Sequence, residues 1–312
     1  MKNLSSQNIL FVFISLLFLG LGIFGVSRQS FRAGKPFAWE ERAGQIILTE
    51  VYPGKTTQKT GLANGDILLQ IDDHPLKTGK EIDLLLDTRK SGQRVSFTVQ
   101  RMEREFTVSL DLVQRYSNQF IVLNSLLGIL FWIVGVFVVL NKPAERAALI
   151  AFWASMTIST SLMLFWEGFP YDAKIIGHLH PILYYIIYPS VPTLILYFTA
   201  LYPTEKHFLK RYPFFRLIFF APSLCFIILL ETFHLRTIFQ HSLENHLICR
   251  RIYTGFQAYF IFTLLISIGF LIHSYKHTTT RESRNKIQWI LWGICFGTAP
   301  FLFLWSLPLV LG

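Results

Sequence analysis

The chain is expected to be a polytopic α-helical membrane protein of about seven spans, with one small, water-soluble, β-rich unit between the first and second. Three observations lead there. Of its 312 residues 52% are hydrophobic and 16% aromatic, against 15% charged, more apolar surface than one soluble core requires. The apolar residues gather in stretches of about twenty, enough to cross a ~30 Å hydrocarbon layer at ~1.5 Å per residue. The one long hydrophilic segment, Gln45 to Leu112, carries strand and turn patterns of its own.

Ile9 to Val26 is free of charge and long enough to span. Lys2 before an apolar core also fits a cleaved signal peptide, but the length and Arg28 favour a retained anchor, residues 1–30. Ser27 to Glu41, mixed and basic with Gly34 and Pro36, is either a linker or an entry strand.

In the soluble unit, QIILTEV is a β-branched run ended by Tyr52-Pro53-Gly54, where proline suits a turn. Gly61-Leu62 and Asn64-Gly65-Asp66 mark the next turn, and ILLQI resumes a buried strand. Asp66 is expected to accept backbone N–H groups, and Asp72-Asp73-His74 to be a turn without metal. Between Thr78 and Thr88, Ile82, Leu85 and Leu86 have helical spacing. Arg94 to Val99 and Glu105 to Leu112 alternate polar with apolar residues, which predicts two half-buried strands.

Six further spans are predicted near Phe120 to Leu140, Ala147 to Trp166, Leu179 to Tyr202, Phe214 to Leu235, Tyr253 to Tyr275 and Ile287 to Val310. Three loops that fall on one side are basic: 141–146, 203–213 with Lys206, Lys210 and Arg211, and 276–286 with Lys276, Arg281, Arg284 and Lys286. The loop from Glu167 to Gly177 has only Lys174 beside Glu167 and Asp172, and the longer 236–252 loop is less biased. Basic loops mark the cytoplasm, which places the N-terminus inside and both the β-rich unit, residues 31–115, and Gly312 outside. Residues 116–312 then form a six-span domain. The net charge of +10 is accounted for beside the spans, so nucleic acid is not an expected partner.

Enzymatic signatures are missing. There is no H-E-x-x-H zinc motif and no G-x-S-x-G nucleophile motif. His178 and His180, at i and i+2, point apart on a helix. Cys225, Cys249 and Cys295 have no metal-site spacing. No enzyme activity, metal or cofactor is expected. Glu231 and His234 share a face at the outer end of the fifth span and are taken as an interfacial pair that ends the helix. His178 and His180 are taken as hydrated interface residues, with a pH-sensing pair as the alternative. Tyr184, Tyr185 and Tyr188 with Pro189 and Pro192 make the fourth span aromatic and kinked.

The run of Val51, Pro53, Gly54, Gly61, Leu62, Gly65, Asp66, Leu68, Ile71, Asp72, Pro75 and Leu76 resembles the bacterial PDZ signature. That resemblance makes the soluble unit a small α+β PDZ-like domain, which would take a C-terminal or internal peptide as an added strand. It implies a carboxylate-cradling loop at Gly34-Lys35-Pro36-Phe37, followed by FAWE as the receiving strand. Peptide contacts would fall on Gly34, Lys35, Phe37, Trp39 and, on the helix, Leu85. Pro36, which has no N–H, departs from the pattern.

Tyr197 to Pro203, and Arg284 to Gly293 followed by Pro300, are similar to segments of multi-span sensor regions. Such regions precede cytoplasmic histidine kinases of the competence quorum-sensing type, or serine phosphatases. The resemblance implies a signal-input module of the bacterial cytoplasmic membrane whose output portion, a kinase or phosphatase, is not in this sequence. The alternative is a scaffold that tethers an envelope protease or complex. Transport is disfavoured because no paired charges lie in mid-span.

Overall fold

The computed structural model describes residues 6–52, 61–87, 89–165, 175–212, 214–240, 243–301, 303, 306 and 308. Pro53 and Gly54 of the PDZ-like run, and the loop residues 166–174, lie outside them.

Helix α1 (Ser6–Gln29) leads directly into the soluble unit, whose elements are β1 (Phe37–Arg42), β2 (Gln45–Val51), β3 (Ile67–Ile71), β4 (His74–Pro75), α2 (Lys80–Asp87), β5 (Arg94–Arg101) and β6 (Arg104–Asp111). The sheet is antiparallel with order β1-β2-β3-β5-β6, and β4 pairs with β3. Ala43 and Gly44 turn β1 into β2 with φ of 49° and 78°, and Met102 and Glu103 turn β5 into β6 with φ of 46° and 65°. Paired positive φ values match a two-residue turn to the right-handed twist of its strands. The predicted alternation sets the core: Ile46 and Leu48, Val95, Phe97 and Val99, and Val108 and Leu110 face inward against Ile82 and Leu86 of α2.

The chain then forms α3 (Asn118–Asn141), α4 (Arg146–Met163), α5 (Ile175–Ile187), α6 (Ser190–Leu201), the short α7 (His207–Arg211), α8 (Phe215–Gln240), α9 (Leu243–His277) and α10 (Arg281–Phe301). Five segments among the described residues are long and apolar enough to cross a membrane: Ser6–Gln29, Asn118–Asn141, His178–Leu201, Phe215–Gln240 and Glu244–His277. The third combines α5 and α6, which part at Tyr188 and Pro189. Helices α4 and α10 occupy residues 147–163 and 287–301 of the two other stretches expected to span.

Three boundaries differ from the hydropathy reading: α10 begins at Arg281 instead of near Ile287, and the other two belong to α8 and α9. Helix α8 continues past Leu235 to Gln240, and α9 begins at Leu243 instead of near Tyr253. Arg236, Arg250 and Arg251 stand exposed on these extensions. Charge ended the apolar run, but a helix needs only its internal hydrogen bonds and continues through it.

Helices α1, α3 and α4 pack through glycine. A Cβ on Gly22 would fall 2.7 Å from Met163 Sδ, and one on Gly25 would fall 2.5 Å from the Met163 carbonyl oxygen. Gly128 and Gly135 of α3 likewise face Met163, Met156 and Ser155 of α4. The start and end of the soluble unit are stitched to each other where it leaves α1 and enters α3. Arg115 donates its amide to the Arg32 carbonyl at 2.9 Å, Ala33 bridges Gln114, and Arg32 bridges Lys90. Gln29 Nε2 donates to the carbonyls of Met163 (2.9 Å) and Phe165 (3.1 Å), covering acceptors at the carboxy end of α4.

Candidate functional site

Among the described residues β1 lies at the edge of the sheet and pairs with β2 alone. Tyr52 donates its amide to the Pro36 carbonyl at 3.0 Å, and Phe37 stands opposite Val51. By the alternation of an antiparallel pair, Phe37 therefore turns its own N–H and C=O away from β2, toward the free edge. An edge of this kind can take another strand.

Helix α2 is fastened to that strand at its start. Glu41 Oε2 accepts the Gly79 amide at 3.1 Å. The six-membered ring of Trp39 lies where a Cβ on Gly79 would be, 2.1 Å from Cζ3, so only glycine fits there. Phe37, Trp39 and Glu41 alternate onto one face of β1, and the latter two close the gap between the strand and the head of α2. The other face carries Glu40 and Arg42, joined at 2.8 Å. The Arg42 hydrogen bond holds the Glu40 carboxyl below its usual range.

The five residues expected to touch a peptide take different places. Phe37 is a core residue, in edge-to-face contact with Phe97 at 5.4 Å. Trp39 and Leu85 are half-buried and pack against the same core. Gly34 is buried, donates its amide to the Val113 carbonyl at 2.7 Å, and would place a Cβ 2.9 Å from Arg115 Cα. Lys35 is half-buried beside it.

Two carboxylates hold the turns. Asp66 accepts the Ala63 amide at 2.9 Å, as the sequence suggested, and also a two-pronged pair from Arg101, Nε at 2.7 Å and Nη2 at 2.9 Å. Burial of the aspartate opposite that guanidinium strengthens the pair, and its hydrogen bond raises the Arg101 pKa. Asp72, at φ 50°, accepts the Ser96 amide and hydroxyl and an Arg89 Nη2. Both arginine partners are distant in sequence, which hid them from a reading of local motifs.

At the end of the helical bundle nearest this domain, the structure corrects two expectations. His178 and His180 are buried, not hydrated. They do point to different partners: the His178 ring packs edge-on against His234 at 5.9 Å, while His180 Nε2 bonds the Leu164 carbonyl. His234 is also buried, in mid-helix, with Tyr185 at 5.6 Å. Helices α8 and α9 run further than their apolar stretches, and His178, His234 and His246 are buried at that end. Among the described residues, no three His, Cys, Asp or Glu side chains are arranged to hold a metal ion.

The PDZ domain family matches residues 22–112. Two solved structures of the HtrA-type protease AlgW, one with a decapeptide and one with a tripeptide, are similar at 18% sequence identity and a TM-score of 0.26. Each similarity covers 28% of this chain and, respectively, 30% and 34% of the protease chain, so it spans about a third of those proteins. No curated protein sequence matches. The antiparallel unit with its edge strand and single flanking helix, inserted between the first two long helices of an apolar bundle, contains a PDZ domain.

Proposed function

We propose that this chain is a signal-input module of a bacterial cytoplasmic membrane. Its PDZ domain stands on the outer side, takes an extended peptide or protein segment along β1, and passes that occupancy to α1, α3 and α4. Any kinase or phosphatase that reads the signal acts as a separate portion or partner.

The observation that carries this reading is the join. No free tether separates domain from bundle, because Gln29, the last residue of α1, holds two carbonyls at the end of α4. The segment just beyond it is paired on both sides, to 89–91 and to 113–115. A ligand shifts a two-state element only through its different affinity for the two states. A strand added beside Phe37 acts only a few residues from that join.

The test uses the full chain in lipid nanodiscs with a decapeptide selected by display. Peptide should change amide exchange at residues 160–165 in the native chain, and Gln29→Ala should remove that change while peptide still binds. Binding with no change at 160–165 overturns the relay and leaves a tethering scaffold. Protease shaving of intact cells checks the polarity: the PDZ domain should be cut from outside.

A further inference from the structure

Capturing a peptide's terminal carboxylate takes a nest, in which neighbouring backbone N–H groups point together into one concavity. The segment before β1 does not supply one. Ala33 gives its amide to the Arg89 carbonyl at 3.3 Å, and Gly34 gives its amide to Val113 at 2.7 Å. Pro36 has no amide to give. Phe37, by the alternation described above, directs its N–H outward along the strand edge. From Gly34 to Phe37, therefore, no two neighbouring residues both have an amide to offer an anion.

The cause lies in the fold. After a turn at residues 30 and 31, Arg32 and Ala33 are bridged to two other segments: Ser91 donates to the Phe31 carbonyl at 3.0 Å on one side, and Arg115 donates to the Arg32 carbonyl at 2.9 Å on the other. The same pairing that ties the two ends of the domain together uses the amides that would otherwise be open to a carboxylate. Gly34 is needed for close approach, since a Cβ there would meet Arg115 Cα at 2.9 Å.

We propose that the groove binds an internal extended segment of a longer chain and does not read a free C-terminus. The inference rests on the peptide-binding reading above and narrows its ligand class. Recognition then comes from main-chain pairing along the edge of β1, which needs one outward N–H and C=O every second residue and no terminal charge.

The experiment presents random decapeptides to the full chain in nanodiscs in two formats: with a free C-terminus, and embedded between two folded domains. The embedded format should enrich, and its selected sequences, synthesised as acid and as amide, should bind within about threefold of each other. Enrichment in the free-terminus format alone, or a loss of about tenfold on amidation, a difference of about 1.4 kcal/mol, overturns the inference. It would leave peptide binding standing. Enrichment in neither format overturns peptide binding itself. A Pro36→Gly variant supplies the missing amide and should raise the preference for acid over amide; an unchanged ratio, with folding intact, counts against the inference.

Discussion

The two halves of the helical bundle are held together by different means. Helices α1, α3 and α4 approach through Gly22, Gly25, Gly128 and Gly135, backbone against side chain or backbone, with ring contacts such as Phe11–Phe152 and Phe18–Trp153 beside them. Helices α5, α6, α8 and α9 meet through large rings, Tyr184, Tyr188, Phe226, Phe256 and Phe260 among them. Polar pairs run among those rings: Thr193 with the hydroxyls of Ser223 at 2.6 Å and Tyr259 at 2.8 Å, and the Tyr188 hydroxyl donating to Gln257 Oε1 at 3.4 Å. Gly269 of α9, by contrast, has open space where a Cβ would sit. In lipid, apolar surface alone gives helices little reason to associate, so close contact or hydrogen bonding must do it. The PDZ domain is joined to the half that uses close contact and tolerates the least displacement.

Substitutions at glycine should break this contrast most visibly. Gly25→Leu drives a side chain into the Met163 and Leu164 backbone and should cost about 1–3 kcal/mol or more, lowering the thermal midpoint in detergent, whereas Gly269→Leu should leave it unchanged. Equal effects would show that the halves pack alike. Next, Asp66→Ala strips Arg101 of its two-pronged partner and should cost about 2 kcal/mol. The loss should appear as faster proteolysis within 61–112 and not in the bundle. A smaller effect is expected in the ring-packed half: Tyr188→Phe removes the hydroxyl that meets the Gln257 amide group at 3.2 and 3.4 Å and should cost about 1 kcal/mol by the same thermal assay. A cost matching Gly25→Leu would mean that hydrogen bonding, and not ring contact, dominates there.

The smallest effect belongs to the exposed strand. Glu40 has a folded-state pKa below its ordinary value because of the Arg42 hydrogen bond. Its contribution is therefore present above the unfolded carboxylate pKa and lost as pH falls through the lowered folded value. The Glu40→Gln variant should melt marginally below the native chain at neutral pH and converge with it in acid. Divergence in acid would reverse the sign and refute the pairing.

Much of the PDZ domain was legible in the sequence because its determinants are local. Val95, Phe97 and Val99 alternate and are buried as read, Ile82 and Leu86 face the core, and FAWE is the edge strand. What was hidden depends on partners far along the chain. Gly34 looked like part of a carboxylate cradle, yet its amide belongs to Val113. Trp39 looked like a groove residue, and its ring lies on Gly79. Gln29 carried no signal at all, since its partners are 134 and 136 residues away. In the bundle, hydropathy located the apolar stretches but not the ends of α8 and α9, and so misjudged how deeply His178 and His234 are buried. Periodicity speaks for a residue's own helix face, not for what the neighbouring helix places opposite it.

The Ala33–Gln114 bridge brings the two ends of the inserted domain to within about 5 Å of each other. Seen from the bundle, an entire folded domain then occupies the footprint of a hairpin turn. Any module whose termini lie side by side could be grafted there without moving α1 or α3, and excision could be healed by a few residues. The inserted domain can thus be exchanged in a single genetic event while the helices on either side of it keep their sequence.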